Sequence, residues 1–234
     1  MNWGEAYKNI KDYVFPIFCL NCDKEGSWLC TNCIKKLNTR GGFSCPICSG
    51  VNPLTITCKD CLEQSFLCSV VSIFEYKEGE VISKLIYNLK YQYAEEVLST
   101  LKILVDNFID INLKVFDNVD MVTFVPLHKK RKAERGFNQA EKIAEIISTK
   151  IDKPLLEILF RSRNTPRQAR LDRKERLKNV SDAFVVKDNV VIDNKNILLV
   201  DDVFTTGTTM QECARVIKSK NSNLVHGFTL ARGK

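Results

Sequence analysis

Short apolar runs alternate with longer amphipathic stretches from residue 69 to the end of the chain. The apolar runs predict strands at residues 70–76, 121–125, 183–186, 197–200 and 224–230. Between them, apolar residues that recur every three or four positions predict helices at residues 81–91, 94–109, 139–150 and 210–220. Residues 155–160 fit either type of element. This alternation predicts an α/β fold with a mostly parallel sheet and helices on both faces.

Residues 195–210 read KNILLVDDVFTTGTTM, so that an apolar strand runs directly into a small-residue loop and a helix. Two carboxylates, Asp201 and Asp202, follow the apolar run. The loop carries four hydroxyls around one glycine: Thr205, Thr206, Gly207, Thr208 and Thr209. Because the first N–H groups of a helix have no acceptor within the helix, this order predicts a phosphate site. The acids suit a ligand with hydroxyl groups or a metal ion beside its phosphate, whereas the simpler alternative is a turn with hydroxyl caps.

Eight of the ten cysteines form four C-x-x-C pairs between residues 19 and 61. In a chain without an export signal, this pattern predicts metal binding and not disulfides. The simplest pairing joins successive pairs into two closed, structural Cys₄ zinc sites. The first contains Cys19, Cys22, Cys30 and Cys33, and the second contains Cys45, Cys48, Cys58 and Cys61.

Other interpretations of the cysteines stay open at this point. The spacing also permits an interleaved pairing, in which the first pair joins the third. An iron–sulfur cluster is the alternative to zinc, and a redox role needs only one C-x-x-C. Structural metal is favoured because a module of about fifty residues with few large apolar side chains needs a staple. The remaining cysteines, Cys68 and Cys213, are expected to pack as small apolar residues.

A change in composition at residue 69 divides the chain into two predicted domains. Residues 1–68 hold an amphipathic helix at 1–15 and the cysteine module, and residues 69–234 form the α/β domain. The longest apolar run near the start has seven residues and includes a proline, which is too short for a membrane span. Charged residues beside it argue against a signal peptide. We therefore expect a cytoplasmic protein without a transmembrane segment.

Two polar segments hold the positive charge of the protein, whose formal net charge is +7. Residues 161–178 contain eight Arg and Lys against two acids, and residues 128–135 contain five against one. Outside these two segments the acids are in slight excess. The protein is therefore locally basic and not globally basic.

The first basic segment lies in a predicted loop at residues 126–138, PLHKKRKAERGFN, which leaves a strand and enters a helix. Its amides and basic side chains suit a pyrophosphate or a nucleic-acid backbone. The candidate residues are Leu127, His128, Lys129, Arg131 and Arg135. No residue stands out as a general base, and His128 is the best-placed titrating side chain. Asn138 and Glu141 have the spacing of a capping box for the following helix.

The second basic segment, at residues 161–178, is too polar for a core element and is interrupted by Pro166. One interpretation is a solvated basic helix at residues 171–180. The other is a mobile hood that closes over the reacting centre and excludes water. The candidate hood residues are Arg167, Gln168, Arg173 and Arg176.

The stretch around the two acids resembles the phosphoribosyl-pyrophosphate (PRPP) loop of type I phosphoribosyltransferases. That pattern is a run of apolar residues, two acids, two apolar residues, then TTG and a hydroxyl residue. The resemblance implies a type I phosphoribosyltransferase-like fold in which Asp201 and Asp202 hold the ribose hydroxyls and residues 205–209 hold the 5-phosphate. It also implies Mg²⁺-dependent displacement of pyrophosphate, with the loop at 126–138 binding the pyrophosphate.

The succession of four C-x-x-C pairs, PLHKKRKAERGFNQ, TPRQARLDRKERLKNVSDAF and VDDVFTTGTT closely resembles the ComF-type competence proteins. That family joins a double zinc ribbon to a phosphoribosyltransferase-like domain, which implies two structural Zn²⁺ ions and Mg²⁺ with PRPP. The resemblance also implies a role in uptake of single-stranded DNA during natural transformation, with a helicase-like partner at the cytoplasmic membrane. The second half also looks like glutamine amidophosphoribosyltransferase, but the zinc module cannot replace the glutaminase domain of that enzyme.

Two classes of function follow. The protein is a PRPP-binding phosphoribosyltransferase with an unidentified acceptor, or a non-catalytic accessory protein that binds single-stranded DNA through its basic segments. A nucleotide-salvage role is less favoured. Residues 1–68 carry seven Lys and Arg against six acids, so zinc-bound thiolates make this region net negative. Phe137 and Phe204 are candidates for base stacking, with core packing the favoured interpretation.

Overall fold

The structure, a computed structural model, describes residues 16–50, 56–91, 94–163 and 180–233. The helix predicted at residues 1–15 lies outside these ranges. Most of the second basic segment also lies outside them, including all four candidate hood residues: Arg167, Gln168, Arg173 and Arg176.

A five-stranded sheet forms the centre of the protein. The strands of the described residues are β1 (Gly42–Ser44), β2 (Ser69–Glu75), β3 (Met121–Phe124), β4 (Leu159–Arg161), β5 (Phe184–Val186), β6 (Ile197–Phe204) and β7 (Val225–Arg232). The central sheet has the order β1-β2-β7-β6-β3, with β1 antiparallel to β2 and the other pairs parallel. β4 and β5 form a separate antiparallel pair. The predicted mostly parallel sheet is confirmed.

Helices connect these strands. Within the described ranges, the α-helices are α1 (Thr31–Lys36), α2 (Val81–Tyr91), α3 (Ala94–Ile111), α4 (Lys129–Arg135), α5 (Gln139–Ile151) and α6 (Thr208–Lys218), and short 3₁₀ helices span Lys59–Gln64 and Leu113–Phe116. β6 runs four residues past its predicted end at residue 200, because Asp201, Val203 and Phe204 still pair with β7. None of the helices within the described ranges has the length and apolar character that a membrane crossing requires.

Alternate residues of the strands point to opposite faces of the sheet, and a core covers each face. In β6, Leu198 and Val200 pack in a cluster with α2, α3 and α5. Ile197 and Leu199 pack in a second cluster with α6 and the β4–β5 pair. Helices therefore cover both faces, as the sequence predicts. The expected inward face of α5 is confirmed, since its residues are all buried: Ala140, Ile143, Ala144 and Ile147.

The cysteine module is attached to the sheet through a strand and through core contacts. β1 extends the sheet beyond β2, and Trp28 and Cys33 join the cluster that contains α2 and α3. The predicted domain boundary falls at Ser69, the first residue of β2. The division into two domains stays a prediction.

Candidate phosphate and ribose site

The carboxyl ends of β3 and β6 open onto a cleft of about 270 Å³. This is the edge at which open parallel sheets bind their ligands. The cleft brings together most of the predicted site residues: Leu127, Arg131, Arg135, Asp201, Asp202, Thr205, Thr206, Gly207, Thr208 and Thr209. It is also lined by four residues to which the sequence assigned no such role: Lys90, Asn138, Gln139 and Arg161.

The phosphate loop (residues 205–209) turns at Gly207. Its φ is 73°, in the left-handed region that glycine adopts readily. A Cβ atom at this position would lie 2.3 Å from Cζ of Phe204, so any side chain here would force the Phe204 ring to move. Gly207 is also the N-cap of α6, and the hydroxyl oxygens of Thr206 and Thr208 lie 2.8 Å apart. The N-terminal turn of α6 therefore lines the cleft, an arrangement that suits a phosphate group.

Asp201 and Asp202 are neighbours on β6 but have different partners. Nζ of Lys90, near the end of α2, lies 2.8 Å from Oδ2 of Asp202. Oδ1 of Asp201 accepts a hydrogen bond of 2.9 Å from the backbone N–H of Asp202. Both carboxyl groups are partly buried. One acid is therefore held in an ion pair, whereas the other is held beside a like charge.

This difference affects the protonation of the cleft. The pKa of Asp201 is raised to about 7, first because burial penalises the carboxylate and second because Asp202 lies beside it. Burial acts to lower the pKa of Lys90, but the charge of Asp202 and the hydrogen bond to it outweigh this effect, so that pKa is raised. Asp201 therefore changes its charge near neutral pH, a property that is common in functional sites.

The prediction of an irregular loop at residues 126–138 is wrong in its middle, where α4 lies. His128 is the N-cap of α4, and its Nδ1 accepts a hydrogen bond of 3.2 Å from the N–H of Lys130. Gly136 ends the helix with a φ of 80°. The intervening KKRKAER consists mainly of good helix formers but has no apolar face, which is why periodicity did not reveal it. Among the described residues that line the cleft, neither His128 nor Lys129 is present.

Asn138 caps α5, but the two hydrogen bonds that define the predicted capping box do not form. The side chain of Asn138 accepts a hydrogen bond of 3.1 Å from the N–H of Ala140. The Glu141 side chain does not accept a hydrogen bond from the backbone N–H of Asn138, because its carboxylate pairs with Lys132 of α4 at 2.8 Å. The acid thus fastens α4 to α5.

The residues RGFNQ (135–139) hold α4 and α5 at the cleft. Nη1 of Arg135 donates a hydrogen bond of 3.0 Å to Oε1 of Gln139. Nδ2 of Asn138 donates one of 3.0 Å to the carbonyl of Val125, which follows β3. Phe137 packs against the core, and Phe204 is 2% exposed, so core packing is confirmed for both. The position of Arg135 is therefore fixed by this short segment.

Two cationic residues of the cleft, Lys90 and Arg161, were not predicted from the sequence as site residues. Lys90 comes from a helix far from the acids in sequence, and no local motif marks it. Arg161 is 8% exposed, and its guanidinium carbon lies 5.2 Å from the ring centroid of Phe184 across the β4–β5 pair. Burial lowers the pKa of Arg161. The sequence did show Arg161 as a charged residue directly after a short apolar run. This signal was hard to recognise because Arg161 is also the first residue of the basic segment.

The cysteines form two separate clusters with the sequential pairing, so the interleaved alternative is wrong. In each cluster the four Sγ atoms lie within 4.8 Å of one another. Sγ of Cys22 lies 3.7 Å from that of Cys30, and the same distance separates Cys48 from Cys58. A tetrahedron with Zn–S bonds of about 2.3 Å has edges of about 3.8 Å. Both Cys₄ sites therefore fit structural zinc. Of the other two cysteines, Cys213 is fully buried, as expected.

The mostly parallel sheet and the loop that turns at Gly207 after β6 give the type I phosphoribosyltransferase-like fold that the sequence predicts. A family model described as "Phosphoribosyl transferase domain" matches residues 134–234. The chain is 27% identical to Competence protein ComFC of Bacillus subtilis, over 94% of this chain and 96% of that protein. It is 28% identical to Competence protein ComFC of Streptococcus pneumoniae, over 98% and 97% of the two chains. It is also 27% identical to DNA utilization protein YhgH of Escherichia coli, over 88% and 92%.

These matches run through both the cysteine module and the α/β domain. Together with the two Cys₄ sites, they make the chain similar to the ComF-type proteins over most of its length. The resemblance stated from the motifs alone is confirmed.

Proposed function

We propose that this chain is a cytoplasmic competence protein that assists DNA uptake and binds PRPP in its cleft. The relatives named above are competence and DNA utilization proteins. The observation that carries the ligand assignment is the meeting of an acid pair, a phosphate loop and several cations in one cleft. Burial makes ionisation of Asp201 unfavourable, so its carboxylate does not stabilise the fold. Its presence at the cleft therefore argues for a ligand site.

In this proposal the 5-phosphate of PRPP binds at the phosphate loop, through its amides and hydroxyls. Asp201 and Asp202 accept hydrogen bonds from the ribose hydroxyls. Lys90, Arg131 and Arg135 supply positive charge for the pyrophosphate. Asp201 and Asp202 would also lie beside a Mg²⁺ ion bound with PRPP, which would supply positive charge to the leaving pyrophosphate.

The proposed reaction is displacement of pyrophosphate by a nucleophilic acceptor. The bond between C1 of the ribose and the pyrophosphate oxygen breaks, a bond from C1 to the acceptor forms, and the acceptor loses a proton to solvent. Positive charge develops on the ribose ring and negative charge on the pyrophosphate. Carboxylates beside the ribose and cations beside the pyrophosphate therefore stabilise the transition state.

Calorimetric titration with Mg-PRPP tests the ligand assignment. We expect saturable binding by the wild type and a loss of at least about a hundredfold in affinity for the variant with Asp201→Asn and Asp202→Asn, since two charge-assisted contacts are removed. Asp193→Asn is the matched control, because Asp193 is exposed and is not among the residues lining the cleft. A wild type that binds no PRPP would reject the assignment.

A second candidate function is binding of single-stranded DNA without catalysis, beside a helicase-like partner at the cytoplasmic membrane. It is favoured by the name of the Escherichia coli relative and by the cationic side chains in the cleft. Contacts between Arg or Lys and phosphates make affinity fall steeply with salt. Arg131→Glu is expected to flatten that dependence for an oligothymidylate probe, whereas Lys114→Glu, at an exposed position outside the cleft lining, keeps it. Equal salt slopes for both variants would remove this cleft as a DNA site.

A further inference from the structure

We propose that Arg232 is a positioning residue that makes the phosphate loop depend on the second Cys₄ site (Cys45, Cys48, Cys58 and Cys61). Its side chain lies between that site and the loop and contacts structures on both sides. The inference goes beyond the proposed function, because it concerns how the loop is held and not what the loop binds.

On the side of the cysteine module, the guanidinium of Arg232 makes three hydrogen bonds. It donates to the hydroxyl of Ser44, to the carbonyl of Cys45 at 3.2 Å, and to the hydroxyl of Ser49 at 2.9 Å. These acceptors belong to the turn that presents Cys45 and Cys48. Four thiolates around one Zn²⁺ leave a net charge of −2, so the zinc-loaded site also attracts the guanidinium by charge.

On the side of the phosphate loop, the guanidinium carbon of Arg232 lies 4.4 Å from the ring centroid of Phe204. This is within the range of a cation–π interaction. The same ring is packed against Gly207, as the 2.3 Å approach of a built Cβ to Cζ of Phe204 demonstrates. The backbone adds a second link, since the N–H of Gly233 donates to the carbonyl of Phe204 at 2.8 Å. Because interiors are close-packed, a displaced Phe204 displaces the turn of the loop.

The first Cys₄ site (Cys19, Cys22, Cys30 and Cys33) provides the comparison. Its buried members, Cys19 and Cys33, pack in the cluster that contains α2 and α3. Phe204 and Met210 pack in the other cluster, on the opposite face of the sheet. Loss of metal from the first site is therefore expected to loosen the face that does not support the phosphate loop.

Hydrogen–deuterium exchange of the full-length, zinc-loaded protein tests the proposal in peptides covering residues 204–210. Cys48→Ser damages the second site and Cys22→Ser the first, and each cysteine is the exposed member of the first pair of its site. We expect exchange at 204–210 to rise about tenfold in Cys48→Ser and by less than about twofold in Cys22→Ser. Elemental analysis should give near one zinc per chain in each variant.

Arg232→Met and Arg232→Lys test the link itself, with both Cys₄ sites intact and about two zinc ions per chain. We expect Arg232→Met to raise exchange at 204–210 about tenfold. Arg232→Lys is expected to give a smaller rise, because lysine keeps the charge but loses the planar fork and its stacking.

Unchanged exchange at 204–210 in Arg232→Met with both zinc ions bound would overturn the proposal. Equal effects of the two cysteine variants would also overturn it. If Cys48→Ser does not fold, the two Arg232 variants decide alone. Exchange is measured without PRPP, so a failure of this inference and a failure to bind PRPP are separate results.

Discussion

The cysteine module and the cleft are stabilised by opposite means. In the module, eight thiols converge on two points, each of which fits a structural zinc ion. In the cleft, charged groups are withdrawn from water and only partly neutralised, so that the pKa of Asp201 is raised and that of Arg161 is lowered, in each case first by burial. The predicted metal sites stabilise the module, whereas the buried and partly neutralised charges of the cleft lower the stability of the fold.

The largest expected effect comes from removing both zinc ions. Structural zinc contributes on the order of 10 kcal/mol to folding in small Cys-rich modules, so we expect the module to unfold when a strong chelator removes the metal. Trp28 is 9% exposed and packs in the same cluster as Cys19 and Cys33. Its fluorescence is therefore expected to shift to the red in step with zinc release.

Trp3→Phe leaves Trp28 as the reporter for this measurement, because the chain contains two tryptophans. Restoring zinc should restore the blue-shifted emission. Release of two zinc ions per chain without any change in Trp28 emission would show that the module is held by packing and not by metal.

The second effect separates the two acids. The pKa of Asp201 is raised from 3.8 to about 7, so the folded protein binds this proton more tightly than the unfolded chain does. The cost is absent at low pH and grows as pH rises towards 7. We expect Asp201→Asn to increase the free energy of unfolding at pH 8 by about 2–4 kcal/mol, and by about 1 kcal/mol less at pH 6.

Asp202→Asn is the control with the opposite sign. It leaves Lys90 without the carboxylate that lies 2.8 Å away, and we expect a destabilisation of about 1–3 kcal/mol at pH 8. Urea unfolding at pH 6 and pH 8, with zinc bound, measures both variants. If both substitutions changed stability in the same direction, the two acids would not differ in the way described.

Sequence patterns located the acid pair and the phosphate loop because their members are contiguous. The strand, Asp201, Asp202 and Thr205 through Thr209 all lie within one strand–loop–helix unit, and the glycine turn marks it. The cysteines of the two candidate zinc sites were also apparent from the sequence. Their pairing was not, because the spacing allowed both a sequential and an interleaved arrangement and only the fold distinguishes them. Local chemistry was therefore predictable.

The cations of the cleft were harder to predict because tertiary structure brings them there. Lys90 reaches Asp202 from a helix that follows β2, which is separated from β6 by β7 in the sheet. Arg161 is placed by the pairing of β4 with β5. The helix α4 was missed because its sequence, charged except for Ala133, has no apolar period. The contiguous groups of the candidate site are thus easier to predict from sequence than the groups that tertiary structure adds to it.

The smallest expected effect compares two glutamines, one in the cleft and one that contacts the cysteine module. Gln139 is 2% exposed in the wall of the cleft. Its Oε1 accepts from Arg135, whereas its buried Nε2 has no acceptor among the described residues. In Gln211, which joins α6 to the cysteine module, Oε1 accepts from the N–H of Phe66 and Nε2 donates to Ser65, both at 2.9 Å.

Gln139→Met removes one hydrogen bond but also removes a buried donor that lacks a partner, and these terms are of similar size. We therefore expect its stability to stay within about 1 kcal/mol of the wild type, whereas Gln211→Met loses two satisfied bonds and about 1–2 kcal/mol. PRPP affinity should show the reverse order, falling about three- to tenfold in Gln139→Met as Arg135 loses its anchor. Urea unfolding and calorimetry of the two variants measure both quantities. A Gln139→Met protein as unstable as Gln211→Met, with unchanged PRPP affinity, would make Gln139 a structural residue and Arg135 independent of it.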